Sequence, residues 1–174
     1  MNDARLDTLY YWKFEEPEQL SKRWNGPYIK ETYETREAYR ARMYKHAMLT
    51  TDVWQHLCIV VDGKTIGEVM AYWVDKNTDW LELGIVIYDP AYWEAHIGTE
   101  VFQLWVDYLF ESNVVHRLGI STWSGNVRMM KLAARVGMVE EARIREARVV
   151  DGVRYDAIKM GILRSEWCAH KKDT

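Results

Sequence analysis

A glutamate within an apolar run is one of two places where this sequence could do chemistry. The run reads "DWLELGIVIYDP", and strand alternation places Glu82 on one face with Trp80 and Gly84. Burial raises the pKa of a carboxyl group, which would suit Glu82 to take a proton near neutral pH. The alternative is a structural glutamate that is hydrogen-bonded to a neighbouring strand.

The second place is the stretch Asp89–Glu100, "DPAYWEAHIGTE", which leads from an Asp-Pro turn into an apolar helix. A helix start has unpaired N–H donors and about +0.5 charge, so the backbone from Trp93 to Thr99 is predicted to cradle an anion; the alternative is a plain helix N-terminus. The loop has one glycine, Gly98, and no lysine or arginine. His96 could donate to a phosphate or face solvent, and a positive φ there would cost roughly 1–2 kcal/mol unless the loop takes a different turn.

Hydrophobic periodicity predicts the elements that position these residues. Helices are expected over residues 3–14, 17–24, 32–47, 98–112 and 126–136, with Gly137 as a C-cap. Strands are expected on both sides of Asp62-Gly63 and of Asp151-Gly152, in "DWLELGIVIYDP" and in "HRLGISTW". Hairpins make the sheet mostly antiparallel, and one strand–helix–strand unit adds a parallel crossover. The predicted fold class is α+β, a mixed sheet flanked by helices.

Size and charge exclude several classes of protein. The 174 residues fit a single domain, 1–174, and the net charge of −3 offers no basic surface to nucleic acid or an anionic membrane. The N-terminus does not read as a signal peptide, no apolar run spans a membrane, and the two cysteines match no metal or redox motif. We therefore expect a reduced, cytoplasmic protein without a metal. Nine Trp and eleven Tyr suit cores, pockets and a homodimer interface alike.

The order of elements resembles the GNAT superfamily of acyl-CoA N-acyltransferases. The stretches "ELGIVIYDPAYWEAHIGTE" and "NVRMMKLAARVGMVEEARIREARVVDGVRYDAIKMGIL" carry the resemblance, which is closest to the branch of ribosomal-protein N-terminal and polyamine acetyltransferases. It implies a V-shaped split in the sheet that holds acetyl-CoA, and direct attack by a primary amine in a ternary complex. The amine would belong to a protein N-terminus, a polyamine or a small molecule. The alternative function is a non-catalytic acyl-CoA-binding regulatory module.

The resemblance also implies which residues contact acetyl-CoA. Pantetheine would pair with the backbone of one strand, and the pyrophosphate would meet the loop after it. Asn126 would lie beside the pantetheine arm and also cap a helix. Arg128 and Lys131 would meet phosphates or form a solvated helix face. The expected acetyl-CoA contacts are Ile85, Val86, Ile87, Trp93, His96, Ile97, Gly98, Thr99, Asn126, Arg128 and Lys131.

In the same resemblance, Glu82 stands where some relatives have the general base. The helix–helix loop and the last hairpin border the acceptor site of the family, where Glu15 and Glu16 would attract a cationic amine or form a solvated acidic turn. The expected acceptor contacts are Glu15, Glu16, Trp24, Tyr28, Glu146 and Tyr155.

Three features depart from the family pattern. Trp93 and His96 stand where the loop usually has Arg or Gln and Gly, and Ala133 stands where many members have a tyrosine general acid. Relatives usually open with a strand before the first helix, so that strand is either absent or lies upstream of this start. The first two departures motivate the non-catalytic alternative.

Overall fold

The computed structural model describes residues 2–30, 32–50, 52–93, 96–112 and 115–171, and it confirms the predicted α+β fold. The helices are α1 (Asp3–Tyr10), α2 (Arg36–Lys45), α3 (Ile97–Glu111), α4 (Val127–Arg135) and α5 (Arg164–His170). The strands are β1 (Met48–Thr50), β2 (Val53–Trp54), β3 (His56–Val61), β4 (Lys64–Asp75), β5 (Trp80–Ile87), β6 (Arg117–Trp123), β7 (Val139–Val150) and β8 (Val153–Leu163). A π-helical turn, Tyr11–Glu15, extends α1 to the end predicted from the sequence.

Six of the strands form one mixed sheet in the order β3-β4-β5-β6-β8-β7, and β1 pairs with β2 separately. The pairs β3–β4, β6–β8 and β7–β8 are antiparallel, whereas β5 and β6 are parallel, as the strand–helix–strand unit predicts. Among the described residues, β5 pairs with β6 only along Trp80–Glu82, which lies opposite Arg117–Gly119. Both strands continue beyond that register.

Both predicted Asp-Gly hairpins are confirmed, and each turns through two left-handed residues. Asp62 and Gly63 have φ of 48° and 79°, and Asp151 and Gly152 have φ of 49° and 78°. Two successive positive φ angles are the geometry of the type I′ turn, whose twist matches that of the flanking strands. The local sequence is therefore sufficient to define β3–β4 and β7–β8.

Contacts divide the chain into two compact units, residues 1–71 with 84–98 and residues 72–83 with 99–174. In the first unit, α1, α2 and the end of β5 share an apolar core. Its buried members are Leu6, Leu9, Tyr10, Tyr39, Met43, Val86 and Tyr88. Repeats of three and four residues along α1 and α2 bring these side chains onto one helix face each.

In the second unit, α3 buries a single face, although its sequence is apolar around most of its circumference. The buried residues are Phe102, Trp105, Val106, Leu109 and Phe110, with three- and four-residue spacing. The sequence did not predict α5. Arg164 donates to the Phe110 and Val115 carbonyls at 2.7 Å each, and Trp167 stacks on Phe110 with ring centroids 5.1 Å apart.

Two predicted helices are shorter than expected. α2 begins at Arg36 and not at residue 32, because the Thr35 hydroxyl accepts the Ala38 N–H at 3.2 Å and caps the helix there. The segment from residue 17 forms only a 3₁₀ turn, Leu20–Arg23, preceded by Gln19 with φ of 43°. Within the described ranges, no helix is both long and apolar enough to cross a membrane.

Candidate active site

Glu82 lies at the centre of a hydrogen-bonded cluster in the second unit, with its side chain 4% exposed. Oε2 accepts from the Tyr72 hydroxyl on β4 at 2.8 Å and from the Ser121 hydroxyl on β6 at 2.6 Å. Oε1 accepts from Lys159 Nζ on β8 at 2.5 Å, and the same Nζ also contacts Ser121 Oγ. Three strands therefore supply donors to one carboxylate, which is the geometry of the structural alternative raised by the sequence.

The pKa of Glu82 is lowered, so the predicted rise is wrong. Burial is the largest single effect and raises the pKa, but the hydrogen bonds from Lys159, Ser121 and Tyr72 together outweigh it. Alternation along one strand predicts burial, but it cannot predict donors that come from other strands. The carboxylate is consequently ionised at neutral pH, the state that can accept a proton, although a lower pKa makes it a weaker base.

A cavity of about 190 Å³ opens beside Glu82 and is lined by two ion pairs. Lys159 pairs with Glu82, while Arg117 pairs with Glu141. The Arg117 guanidinium also lies 4.8 Å from the Trp80 ring centroid, a cation–π distance. Because each acidic side chain is paired with a basic one, the lining has no net charge. A ligand would contact both positive and negative groups.

Gly161 makes room for the Arg117–Glu141 pair. A Cβ at this position would lie 2.6 Å from Arg117 Nη2 and 2.6 Å from Glu141 Oε2. Glycine inside a strand often marks such a close approach. Both atoms are the far ends of flexible side chains, so a larger residue at 161 would require the charged pair to shift.

In the first unit, the end of β5 lies close to β4. The Tyr88 N–H donates to the Ile66 carbonyl at 2.8 Å, and a Cβ at Gly67 would lie 2.1 Å from the Val86 carbonyl oxygen. Gly67 thus allows the backbone of β5 to approach β4 closely at Val86. The expected backbone contacts of Ile85, Val86 and Ile87 with pantetheine stay predictions.

The loop after β5 is anchored by its own side chains. Asp89 accepts the Ala91 N–H at 2.9 Å, and the Trp93 indole N–H donates to the Ile87 carbonyl at 2.8 Å. The Trp93 side chain thus ties the loop to the end of the strand, and the contact of Trp93 with a ligand stays a prediction. Positions 94 and 95 of the predicted cradle lie outside the described residues.

His96 is exposed and has φ of 60°. The loop therefore does adopt the left-handed conformation that the usual glycine would take without strain, and does not avoid it by another turn. Ile97 and Gly98 follow as the first residues of α3, which begins one residue earlier than predicted. The Thr99 hydroxyl accepts a long hydrogen bond of 3.4 Å from Arg135.

The predicted N-cap of α4 is confirmed. Asn126 is buried and its side-chain oxygen accepts the Met129 N–H at 3.1 Å. Arg128 and Lys131 are both exposed on the helix surface. Ala133 is fully buried, so the position of the family tyrosine is a core position here.

The expected acceptor residues of the first unit are engaged by the chain itself. Arg36 binds both carboxylate oxygens of Glu15, at 2.7 and 2.6 Å. Glu16 accepts backbone N–H groups, including that of Gln19, and so caps the turn that follows α1. Both carboxylates have local structural roles, and a cationic acceptor would compete with these donors. Trp24 and Tyr28 are half-buried.

The two expected acceptor residues of the second unit lie near a bulge in the last hairpin. Glu146 is exposed with φ of 53°, and its N–H donates to the Asp156 carboxylate at 3.0 Å. Three β7 residues, 145–147, lie opposite Asp156 alone, because Ile144 pairs with Ala157 and Arg148 with Tyr155. The Tyr155 ring packs edge-on against Trp123, with centroids 4.7 Å apart.

Sequence reasoning missed the partners of Glu82. A signal was available, because Ser121 and Lys159 are polar residues inside or next to the apolar stretches "LGI" and "AIKMGIL". Their meeting depends on the β6–β8 register, which pairs Ser121 with Lys159. The described part of the chain contains no group of three or more His, Cys, Asp or Glu side chains placed to hold a metal ion.

Comparison with known structures identifies the fold. The spermidine N-acetyltransferase from Vibrio cholerae, solved with CoA and spermine, superposes with a TM-score of 0.75 at 18% identity, covering 97% of this chain and 95% of that one. A GNAT-family acetyltransferase from Bacillus anthracis gives a TM-score of 0.71 at 15% identity, covering 95% of this chain and 93% of that one. At these identities the similarity establishes the fold alone.

Sequence comparison establishes the family. The protein YdaF of Bacillus subtilis, named provisionally as a ribosomal N-acetyltransferase, is 25% identical over 119 residues, which are 65% of this chain. The match spans 61% of that relative's length. The family model described as the acetyltransferase (GNAT) domain matches residues 1–139, most of the chain. The chain therefore belongs to the GNAT acetyltransferase domain family.

Proposed function

We propose that this protein is an N-acetyltransferase that transfers an acetyl group from acetyl-CoA to a primary amine in a ternary complex. Membership of the GNAT acetyltransferase family is the observation that carries the proposal. In the reaction, the amine nitrogen bonds to the thioester carbonyl carbon and the C–S bond breaks. CoA leaves as a thiolate that takes up a proton, and the nitrogen gives its proton to a base.

Glu82 is our candidate for that base, acting directly or through water. Its carboxylate is charged at neutral pH and borders a cavity large enough for the end of an amine substrate. The carboxylate already accepts hydrogen bonds from three donors, and a carboxylate has about four lone-pair positions that can accept. One position therefore remains for an acceptor amine or a water molecule.

For acetyl-CoA, the residues that fit are mainly backbone groups. The backbone of Ile85, Val86 and Ile87 is the proposed partner of pantetheine, and the start of α3 would offer N–H donors to a pyrophosphate. Asn126, Arg128 and Lys131 remain proposed contacts from the family pattern. Bound acetyl-CoA would supply the activated acyl group, which this chain's residues only orient.

The acceptor is a primary amine of a protein N-terminus, a polyamine or a small molecule. The names of two similar proteins, a spermidine N-acetyltransferase and a provisional ribosomal N-acetyltransferase, support the first two classes. A metal-independent reaction, a single domain over residues 1–174, a cytoplasmic location and a homodimer remain predictions from the sequence.

An acceptor screen tests this function. The protein is incubated with acetyl-CoA and, in separate reactions, polyamines, amino acids, aminoglycosides and peptides with free N-termini, while free CoA thiol is followed with a thiol reagent. We expect amine-dependent CoA release that saturates with acetyl-CoA. Saturable binding of acetyl-CoA by calorimetry, without release in any reaction, would instead support the non-catalytic binding module.

A further inference from the structure

Lys159 occupies an unusual position for a surface lysine. Its side chain is 41% exposed, yet its ammonium bonds a carboxylate that is only 4% exposed. The β6–β8 register places Lys159 directly opposite Ser121, so the sheet fixes the position of the Lys159 Cα. The ammonium contacts both Glu82 and Ser121, and these two contacts hold it over the carboxylate.

The other donors to Glu82 carry no charge. The Tyr72 and Ser121 hydroxyls can bond either an ionised or a protonated carboxyl group, whereas an ammonium stabilises only the ionised form strongly. A buried carboxyl group without a cation tends to bind a proton, and a protonated carboxyl group cannot accept another from the acceptor amine. The charge state of Glu82 therefore depends chiefly on Lys159.

From this geometry we infer that Lys159 is a positioning residue for acetyl transfer, which keeps the Glu82 carboxylate charged and fixed in orientation. The inference rests on the proposed function, in which Glu82 takes the proton.

Other charged groups near Glu82 do not replace Lys159. Arg117 on β6 and Glu141 on β7 line the same cavity, but they pair with each other, so their charges offset. Tyr72, from β4, carries no charge in the neutral range. Among the described groups that face Glu82, Lys159 is thus the cation whose removal should change its protonation.

The test compares kcat/KM against pH for the wild type, Lys159→Met and Lys159→Arg. The ratio of variant to wild type cancels the ionisation of the acceptor, which is the same molecule in every reaction. We expect the Lys159→Met ratio to fall as the pH decreases, by about tenfold per pH unit below the raised pKa of Glu82. Lys159→Arg, which keeps the charge, should give a nearly flat ratio. Lys159→Gln gives the same comparison if methionine lowers stability too far.

Lys171→Met is the matched control. Lys171 is 43% exposed and ion-paired to Glu111, so it resembles Lys159 in exposure and pairing, but it contacts α3 residues and the Trp167 ring and not Glu82. Its ratio to wild type should be independent of pH.

Carbon-13 NMR of the glutamate carboxyl groups provides a readout that does not need turnover. Glu82→Gln assigns the Glu82 signal, and Lys159→Met should raise the pKa at which it titrates. An unchanged NMR titration would refute the inference, as would a flat activity ratio despite a shifted titration. Absence of CoA release by the wild type with every amine would refute the proposed function itself, and that outcome is distinguishable from both.

Discussion

Replacing His96 with glycine should stabilise the protein and leave acetyl-CoA binding intact. His96 has φ of 60° and is exposed, and within the described part of the chain its imidazole makes no hydrogen bond. A left-handed conformation costs a non-glycine residue about 1–2 kcal/mol, and the greater flexibility of unfolded glycine offsets about 0.5–1 kcal/mol of that relief. We therefore expect the free energy of unfolding to rise by about 0.5–1 kcal/mol.

Urea unfolding and thermal melting measure this change. For a chain of this length, a gain of that size should raise Tm by about 1–4 °C. His96→Ala is the matched control, since alanine also removes the imidazole but keeps the strained backbone, so its unfolding free energy should be close to that of the wild type. A stabilised alanine variant, or a glycine variant no more stable than wild type, would refute the strain argument.

Calorimetric titration with acetyl-CoA tests the second half of the prediction. If backbone N–H groups bind the pyrophosphate, His96→Ala should bind acetyl-CoA as tightly as the wild type. His96→Gly should bind acetyl-CoA equally well or more tightly. A large loss of affinity in both variants would show that the imidazole itself is a ligand.

Three further predictions concern the cap, the cavity and the buried acid of the first unit. Asn126→Ala should lower the free energy of unfolding by about 1 kcal/mol in urea, because the Met129 N–H loses its acceptor; an unchanged midpoint would contradict the cap. Gly161→Ala should lower the free energy of unfolding by less than about 1 kcal/mol, since its Cβ would displace only the ends of the partly exposed Arg117–Glu141 pair, and a loss of more than about 2 kcal/mol would contradict this. Burial raises the pKa of Glu68, but the neighbouring His56 imidazole and Tyr88 hydroxyl outweigh it and hold the pKa below its usual value. Its carboxylate therefore adds stability above the unfolded pKa of about 4.3, and this contribution is lost as the pH falls through the lower folded pKa. Urea unfolding between about pH 6 and about pH 3 should show a smaller acid dependence for Glu68→Gln than for wild type, and equal slopes would refute the linkage.

Local sequence signals predicted much of the fold. Asp62-Gly63 and Asp151-Gly152 define hairpins because two-residue turns need left-handed residues at both positions. Asn126 defines the start of α4 because its side chain can accept a nearby N–H. These features depend on residues within a few positions of one another, so a single sequence contains the information.

The candidate site depends on pairings between strands that are distant in the sequence, and no local sequence pattern predicts these pairings. Glu82 and Lys159 are 77 residues apart, and they meet only through the registers of β5, β6 and β8. The pKa of Glu82 was therefore predicted in the wrong direction from burial alone. Trp93 shows the same limit at shorter range, because its indole turns back to Ile87 through the path of the loop.

The central claim is that this chain transfers acetyl groups from acetyl-CoA to an amine. The most direct measurement incubates the protein with acetyl-CoA and an amine from the screen, then determines acetylated amine by mass spectrometry and free CoA thiol in the same reaction. We predict that both products appear together in equal amounts, only when protein is present, and that Glu82→Gln greatly slows both. CoA release without acetylated amine, or no release with any amine despite saturable acetyl-CoA binding, would contradict the proposed function.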